Sequence, residues 1–264
     1  MFPITYHGKT LPTYRAHSIQ DKDVDIIWNI PAEVPVAFVY NRRNYAIMMA
    51  IPDNLIDFAV GFSLSERIVK STEDILSVDI YHRDNGVDLR IKITKDAIEK
   101  FDIIQRRRNM VGSASCGLCG LENADTLFAS VPLVSNKKLK LDPKILMESI
   151  TKLRSHQTLN DLTKSVHAAA FVNISGHIRH VQEDIGRHNA VDKLLGSLAM
   201  SETQISDGFI LISSRCSYEI VEKAARLGIR AILSISSPTT FSLQKAKEAN
   251  LSLYAQSKTG IVEL

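Results

Sequence analysis

The sequence predicts an α/β protein: a C-terminal three-layer α/β/α domain preceded by a smaller N-terminal α+β domain. Three observations carry that prediction. Beyond residue 207, short apolar runs alternate with helical stretches: "GFILISS" (208–214), "SYEIVEKAARLG" (217–228), "IRAILSIS" (229–236), "TTFSLQKAKEAN" (239–250) and "LSLYA" (251–255). Apolar runs of this length, separated by amphipathic helices, describe βαβ units and a largely parallel sheet covered on both faces. Nearer the start, "PVAFVYN" (35–41) and "YAIMMAI" (45–51) are strand-like runs around Asn41, Arg42, Arg43 and Asn44, a hairpin-like connection. Between Phe101 and Asn136 periodicity disappears and Arg, Gly, Ser and a Cys-x-x-Cys accumulate, the mark of a functional or unstructured loop. The expected division is 1–136, with the loop at about 109–136, and 137–264.

Each remaining element follows from pattern. "PDNLIDFAVGFSLSERIV" (52–69) places Asp53 or Asn54 as N-cap before Leu55, Phe58, Ala59 and Phe62 at helical spacing, and "DLRIKI" (88–93) returns to alternation. "HAAAFVNISGHIRHVQED" (167–184) reads as a hairpin about Ser175 and Gly176. "DIGRHNAVDKLLGSLAM" (184–200) follows as a helix with Val191, Leu194, Leu195 and Leu198 on one face, and Gly228 is placed to cap a later helix.

At 264 residues with 45% hydrophobic content, the chain can bury a sizeable core. A net charge of +3 is too mild to announce nucleic acid, although "QRRR" (105–108) concentrates three guanidiniums. No apolar run approaches the roughly 20 residues of a membrane span, and "MFPITYHGKT" lacks the regions of a secretory signal, so a cytoplasmic protein is expected. Three cysteines argue against a disulfide framework and for reduced thiols.

The candidate chemistry begins with Cys116 and Cys119 in "GSASCGLCGL" (112–121). A structural zinc needs four ligands, and one Cys-x-x-Cys supplies two. A deaminase-type zinc needs an H-x-E upstream of P-C-x-x-C; here the proline is missing and "HAAA" at His167 has alanine where the Glu belongs. A thioredoxin-like pair belongs at a helix N-terminus after a strand, and no strand precedes this stretch. A loop-borne thiolate nucleophile, with Arg106, Arg107 and Arg108 nearby, is the fourth reading, and a pair of inert buried thiols the fifth. Spacing alone leaves these open.

In "EDIGRHNAVDK" (183–193), Asp184, His188 and Asp192 recur at i, i+4, i+8, with Glu183 and Arg187 at i, i+4. A helix carrying them would show either a solvated face of ion pairs or, through Arg187 and the helix start, a phosphate site. "SSRCSYE" (213–219) and "SISSPTT" (234–240) both follow a strand and precede a helix, two turns suited to an anion at one sheet edge, with ordinary capping by Ser217 the plainer reading. Cys216, His167, His177 and His180, taken singly, read as structural.

The blocks "VPVAFVYN", "FAVGFSLSERIV", "RRR" before "SCGLCG", "HAAAF", "EDIGRHNAVDKLLG", "SSRCSYEIVEKAA" and "SISSPTT" together resemble the formate dehydrogenase accessory sulfurtransferase family (FdhD), in that family's order, from about Val34 to Tyr254. The resemblance implies a homodimer whose C-terminal domain is similar to cytidine deaminases. It implies a sulfurtransferase that takes persulfide sulfur from a cysteine desulfurase and sulfurates a bis-guanylyl molybdopterin molybdenum cofactor destined for formate dehydrogenase. By motif position Cys116 bears the persulfide and Cys119 is its partner. The cofactor, bound transiently as substrate, falls to Arg187, His188, Ser213, Arg215 and the stretch Gln256, Ser257, Lys258, Thr259, Gly260 and Ile261. No resident metal, nucleic acid or membrane partner is implied. The sequence departs from the family's pattern at Lys164, which stands at a usual glycine, and at Cys216, which stands at a usual alanine. In "QSKTGI" (256–261), Lys258 and Gly260 of an F-x-K-x-G-R pattern remain without its Phe and Arg. The alternatives are a non-enzymatic chaperone that binds the molybdenum cofactor and a deaminase-type zinc hydrolase.

Overall fold

A computed structural model describes residues 4–5, 13–17, 25–99, 101 and 131–264. Their strands form two mixed sheets and one ribbon. The first sheet orders β1 (Ile4–Thr5), β6 (Ile75–Arg83), β7 (Gly86–Ile93), β4 (Val34–Tyr40) and β5 (Arg43–Ala50), while β2 (Thr13–His17) pairs with β3 (Asp25–Asn29). The β4–β5 connection is tighter than the expected four residues. Asn41 and Arg42 take φ of 46° and 69°, the paired left-handed conformation that matches the twist of a two-residue hairpin. The Asn41 side chain accepts from Ile93 N (2.8 Å) and donates to Ile93 O (3.1 Å), tying the turn to β7.

Helix α1 (Leu55–Ser65) buries Phe58, Ala59 and Phe62 against Phe38 and Tyr40 of β4 and Val78 and Ile80 of β6, with Phe62 stacked on Phe38 at 4.0 Å. Asn54 holds the N-cap position, but with φ of 50° it makes no side-chain cap bond. Its Nδ2 donates instead to Gln182 Oε1 at 2.7 Å. The helix is buried almost all round because its second face meets α4 (Arg187–Ala199). The crossing is backbone on backbone. A Cβ at Gly61 would lie 1.7 Å from the Asp192 carbonyl oxygen, and one at Gly196 would lie 1.9 Å from that of Asp57.

The second sheet has the order β13 (Gly260–Glu263), β12 (Ser252–Ser257), β11 (Ala231–Ser234), β10 (Gly208–Ile212), β8 (His167–Asn173) and β9 (Ile178–Asp184). Only β10, β11 and β12 are mutually parallel; β8, β9 and β13 join antiparallel. The expected largely parallel sheet is therefore mixed, because tight hairpins at both margins reverse the chain where a crossover helix would have kept it parallel. Both faces are covered as expected. Ile210, Ile212 and Ile232 face α4, α5 (Tyr218–Arg226) and α6 (Thr240–Glu248), whereas Ala170, Leu211 and Leu233 face α2 (Pro143–His156). Val131 is buried in the first of these two cores. A short α3 (Thr158–Thr163) leads into β8.

Two expectations follow from the α1–α4 crossing. Gly196→Ala forces the two backbones apart and lowers stability by about 3 kcal/mol or more, read as a lower urea midpoint. Burial lifts the Asp57 carboxyl from 3.8 to about 6, against the pull of the Gln182 hydrogen bond and of Lys193. An acid whose folded pKa is raised holds its proton more tightly when folded, so this group adds stability as pH falls from about 6 to 3.8. Urea midpoints across that range should rise more steeply on acidification in the wild type than in Asp57→Asn; parallel slopes would remove the assignment.

Candidate functional site

The carboxyl ends of β10, β11 and β12 share one edge of the second sheet with the start of β8, the end of β9 and the first turn of α4. At this edge the 213–217 turn is held from both sides. Ser213 N donates to Ala168 O (3.0 Å) and Ala168 N donates to Ser213 Oγ (2.8 Å), while Thr239 N donates to Cys216 O (3.2 Å). Ser213 thus completes the ladder to β8, and Arg215 projects exposed beside it. Cys216 is fully buried in the core, and burial pushes its thiol up to about 12, which leaves it inert as a nucleophile.

The polar residues of "EDIGRHNAVDK" are not stacked on one solvated helix face. Asp184 ends β9, and α4 begins only at Arg187. The Asp184 carboxylate, wholly buried, accepts from Ile51 N (3.1 Å), Gly186 N (2.9 Å), Asn189 Nδ2 (2.9 Å) and Lys193 Nζ (2.8 Å). Lys193 also donates to Ile51 O at 3.0 Å. Beside Lys193 on α4, Asp192 is buried against Lys223 Nζ (2.9 Å) and Ser65 Oγ (2.7 Å), and Lys223 reaches Glu66 at 3.1 Å. Glu183 caps α3 by accepting from Leu159 N (2.8 Å) and Asn160 N (2.9 Å). All three acids that suggested surface ion pairs or phosphate chemistry are therefore spent on structure, Asp184 between the sheets, Asp192 between α4, α1 and α5, and Glu183 on α3.

Arg187 and His188 remain at the edge, and they acquire partners that sequence reading left without a role. His188 Nε2 lies 3.0 Å from Glu219 Oε2 and 3.2 Å from Ser217 Oγ. Ser217, at the N-cap position of α5, makes no cap bond and donates instead to Glu219 Oε2 at 3.1 Å. The His188 hydrogen bond holds the Glu219 carboxyl below its ordinary value; burial opposes this, and the charge of His188, when protonated, and that of Arg187 assist. His167, at the start of β8, is made a weaker base by burial first, then by the charge of Arg187 and by that of His188 when protonated. The buried Arg187 Nε has no hydrogen-bond partner among the described residues. An unsatisfied buried N–H of a guanidinium is costly unless a ligand accepts from it. The local signal for Glu219 was its place in "SSRCSYE", two residues after the serine.

The stretch 256–261 is the β12–β13 hairpin, with Lys258 and Thr259 exposed at its turn. Ser257 Oγ donates to Gly260 O at 2.9 Å. Gly260 takes φ of 137° with open space where a Cβ would stand. The turn shares the edge with 213–217, but β11 lies between, a separation of about 10 Å at ordinary strand spacing. No hydrogen bond or ion pair joins it to Arg187, His188 or Arg215 among the described residues. His180 is held elsewhere, by Ser197 and Thr203, both at 2.9 Å. Cys116 and Cys119 lie outside the described residues.

A family model described as the FdhD/NarQ family matches residues 31–263. The chain belongs to that family. Among curated relatives, the protein of Xanthomonas euvesicatoria pv. vesicatoria named sulfur carrier protein FdhD is 41% identical over 252 residues, covering 93% of this chain and 86% of the relative. The protein of the same name from Cupriavidus necator is 39% identical over 225 residues, covering 85% and 77%. The crystal structure of a candidate formate dehydrogenase accessory protein from Desulfotalea psychrophila shares the fold, with a TM-score of 0.70 at 23% identity over 96% of each chain. In this FdhD/NarQ chain no described helix is long and apolar enough to cross a membrane.

Lys193→Met leaves Asp184 buried with its charge uncompensated and should cost about 3–5 kcal/mol, measured by urea unfolding. The double variant Asp184→Asn, Lys193→Met should recover part of that loss, since no buried charge is left alone.

Proposed function

We propose that this chain is a sulfur carrier that receives sulfane sulfur as a persulfide on Cys116 and hands it to a molybdenum cofactor before formate dehydrogenase takes up that cofactor. Relatives at about 40% identity named sulfur carrier proteins support the carrier role. The observation that carries the cargo half of the reading is the buried, unpaired Arg187 Nε at the sheet edge. It stands with His188 and exposed Arg215 where an anion would be held.

The chemistry divides accordingly. In loading, the Cys116 thiolate attacks the outer sulfur of a cysteine desulfurase persulfide. A new S–S bond forms on Cys116, the donor's S–S bond breaks, and its electron pair leaves on the donor thiolate. The terminal sulfur is soft and suits molybdenum; attack of the Cys119 thiolate on the Cys116 sulfur breaks the persulfide S–S bond, releases the outer sulfur as sulfide and leaves a Cys116–Cys119 disulfide that a dithiol reductant restores to the two thiols. The cargo is a bis-guanylyl molybdopterin molybdenum complex, treated as substrate. Its diphosphates are assigned to the Arg187 edge, and a more distant part of the same ligand to the 256–261 hairpin, about 10 Å along that edge. The protein is read as a cytoplasmic homodimer.

Incubation with a cysteine desulfurase and cysteine should add about 32 Da to the intact protein, seen by mass spectrometry. The addition should vanish in Cys116→Ala and survive in Cys216→Ala, because the buried Cys216 thiol is not ionised. Addition that persists in Cys116→Ala would overturn the assignment.

A further inference from the structure

Three contacts close a small ring at the sheet edge: His188 Nε2 to Glu219 Oε2 (3.0 Å), His188 Nε2 to Ser217 Oγ (3.2 Å), and Ser217 Oγ to Glu219 Oε2 (3.1 Å). An ionised carboxylate offers only acceptors. The proton of an uncharged His188 therefore sits on Nε2, and Nδ1 carries a lone pair. His167 stands nearby as a second imidazole of lowered basicity, for the reasons of burial and neighbouring charge given above. The edge thus offers two permanent cations, Arg187 and the exposed Arg215, and two imidazoles that must each gain a proton before both of their nitrogens can donate.

The inner oxygens of a diphosphate ester carry no proton near neutral pH and only accept hydrogen bonds. A lone pair at Nδ1 repels such a group, whereas an N–H there donates to it with charge assistance. We propose that a diphosphate binds this edge together with a proton that His188 takes on Nδ1, and that Glu219 is the positioning residue that orients His188 and balances its imidazolium charge. The inference rests on the reading of this edge as the seat of the cargo's diphosphate. The proton comes from solvent, the Nδ1 lone pair forms the new N–H bond, and nothing is oxidised or reduced. The titratable, charged and hydroxyl groups gathered at this edge are Arg187 and His188 from the start of α4, His167 from the start of β8, Ser217 and Glu219 from the start of α5, and exposed Arg215 from the turn before it. Glu219 is the carboxylate among these six.

Diguanosine diphosphate, two guanosines joined 5′ to 5′ through one diphosphate and so without a terminal phosphate that titrates near neutral pH, is the probe. Its titration into the full-length protein by calorimetry, in two buffers of different ionisation enthalpy near neutral pH, counts the protons taken up without any variant. Net uptake is expected, with affinity falling by up to about tenfold per pH unit as pH rises. His188→Gln should abolish both the uptake and the pH dependence. Glu219→Gln separates this proposal from a plain charge effect. Removing a negative charge from an anion site should tighten binding if Glu219 only repels the ligand. It should weaken binding by about tenfold if Glu219 supports the imidazolium. Buffer-independent binding, unchanged affinity in His188→Gln, or tighter binding in Glu219→Gln overturns the proposal and leaves the edge as a diphosphate site. A wild-type protein that binds no diguanosine diphosphate at any pH overturns the reading of the edge itself, and the proposal with it.

Discussion

The buried Asp184–Lys193 pair is the contact on which the rest of the arrangement depends. Asp184 receives four hydrogen bonds, from Ile51 of the chain leaving β5, from Gly186 and Asn189 at the start of α4, and from Lys193 one turn further on. Lys193 in turn donates to Ile51 O. One carboxylate thus joins the first sheet, the last residue of β9 and the helix that presents Arg187. Burying two charges is costly, and such a pair is tolerated only where geometry satisfies nearly every lone pair and proton. That condition is met here, and it leaves α4 little freedom to slide. The glycine crossing at Gly61 and Gly196 adds a steric constraint to the electrostatic one, since the two helices touch through backbone. A second buried set, Asp192 with Lys223, Ser65 and Glu66, repeats the linkage farther along the same helix, where the Arg226 guanidinium also donates to the Ser65 carbonyl.

Rigid docking of α4 has a consequence at the sheet edge. With Asp184 holding the Gly186 N–H, the chain enters the helix in one direction, and Arg187 and His188 emerge where β8, β9 and β10 meet. The surrounding contacts then divide the work. Ser213 finishes the ladder to β8, Ser217 and Glu219 orient His188, and Arg187 keeps a buried N–H that no described group satisfies.

Much of the fold was legible because its signals are local. The hairpins about Asn41 and Gly176, the helix from Leu55, and the strand-to-helix turns at 213–217 and 235–239 follow from turn chemistry and apolar periodicity. The mixed character of the second sheet was harder to read, because a buried antiparallel strand such as "HAAAFVN", paired on both sides, carries the same apolar signature as a parallel one. Asp184 and Asp192 were misread because helical spacing says which residues share a face and nothing about what covers that face. α1 arrives from more than a hundred residues upstream to cover it. Glu219 went unassigned because its partner His188 lies 31 positions earlier, on another helix.

The amino-acid sequence by itself determined the layer architecture, the family to which the chain belongs, and the pairing of Cys116 with Cys119 at three-residue spacing. These rest on composition, periodicity and contiguous motifs, which do not need the third dimension. The tertiary structure alone decided which polar residues are spent on packing and which stay at the sheet edge. That distinction depends on burial and on partners distant in sequence: a carboxylate closed in by Ile51, Asn189 and Lys193 is a joint between sheets, and an arginine three residues on keeps a buried N–H that no described residue satisfies.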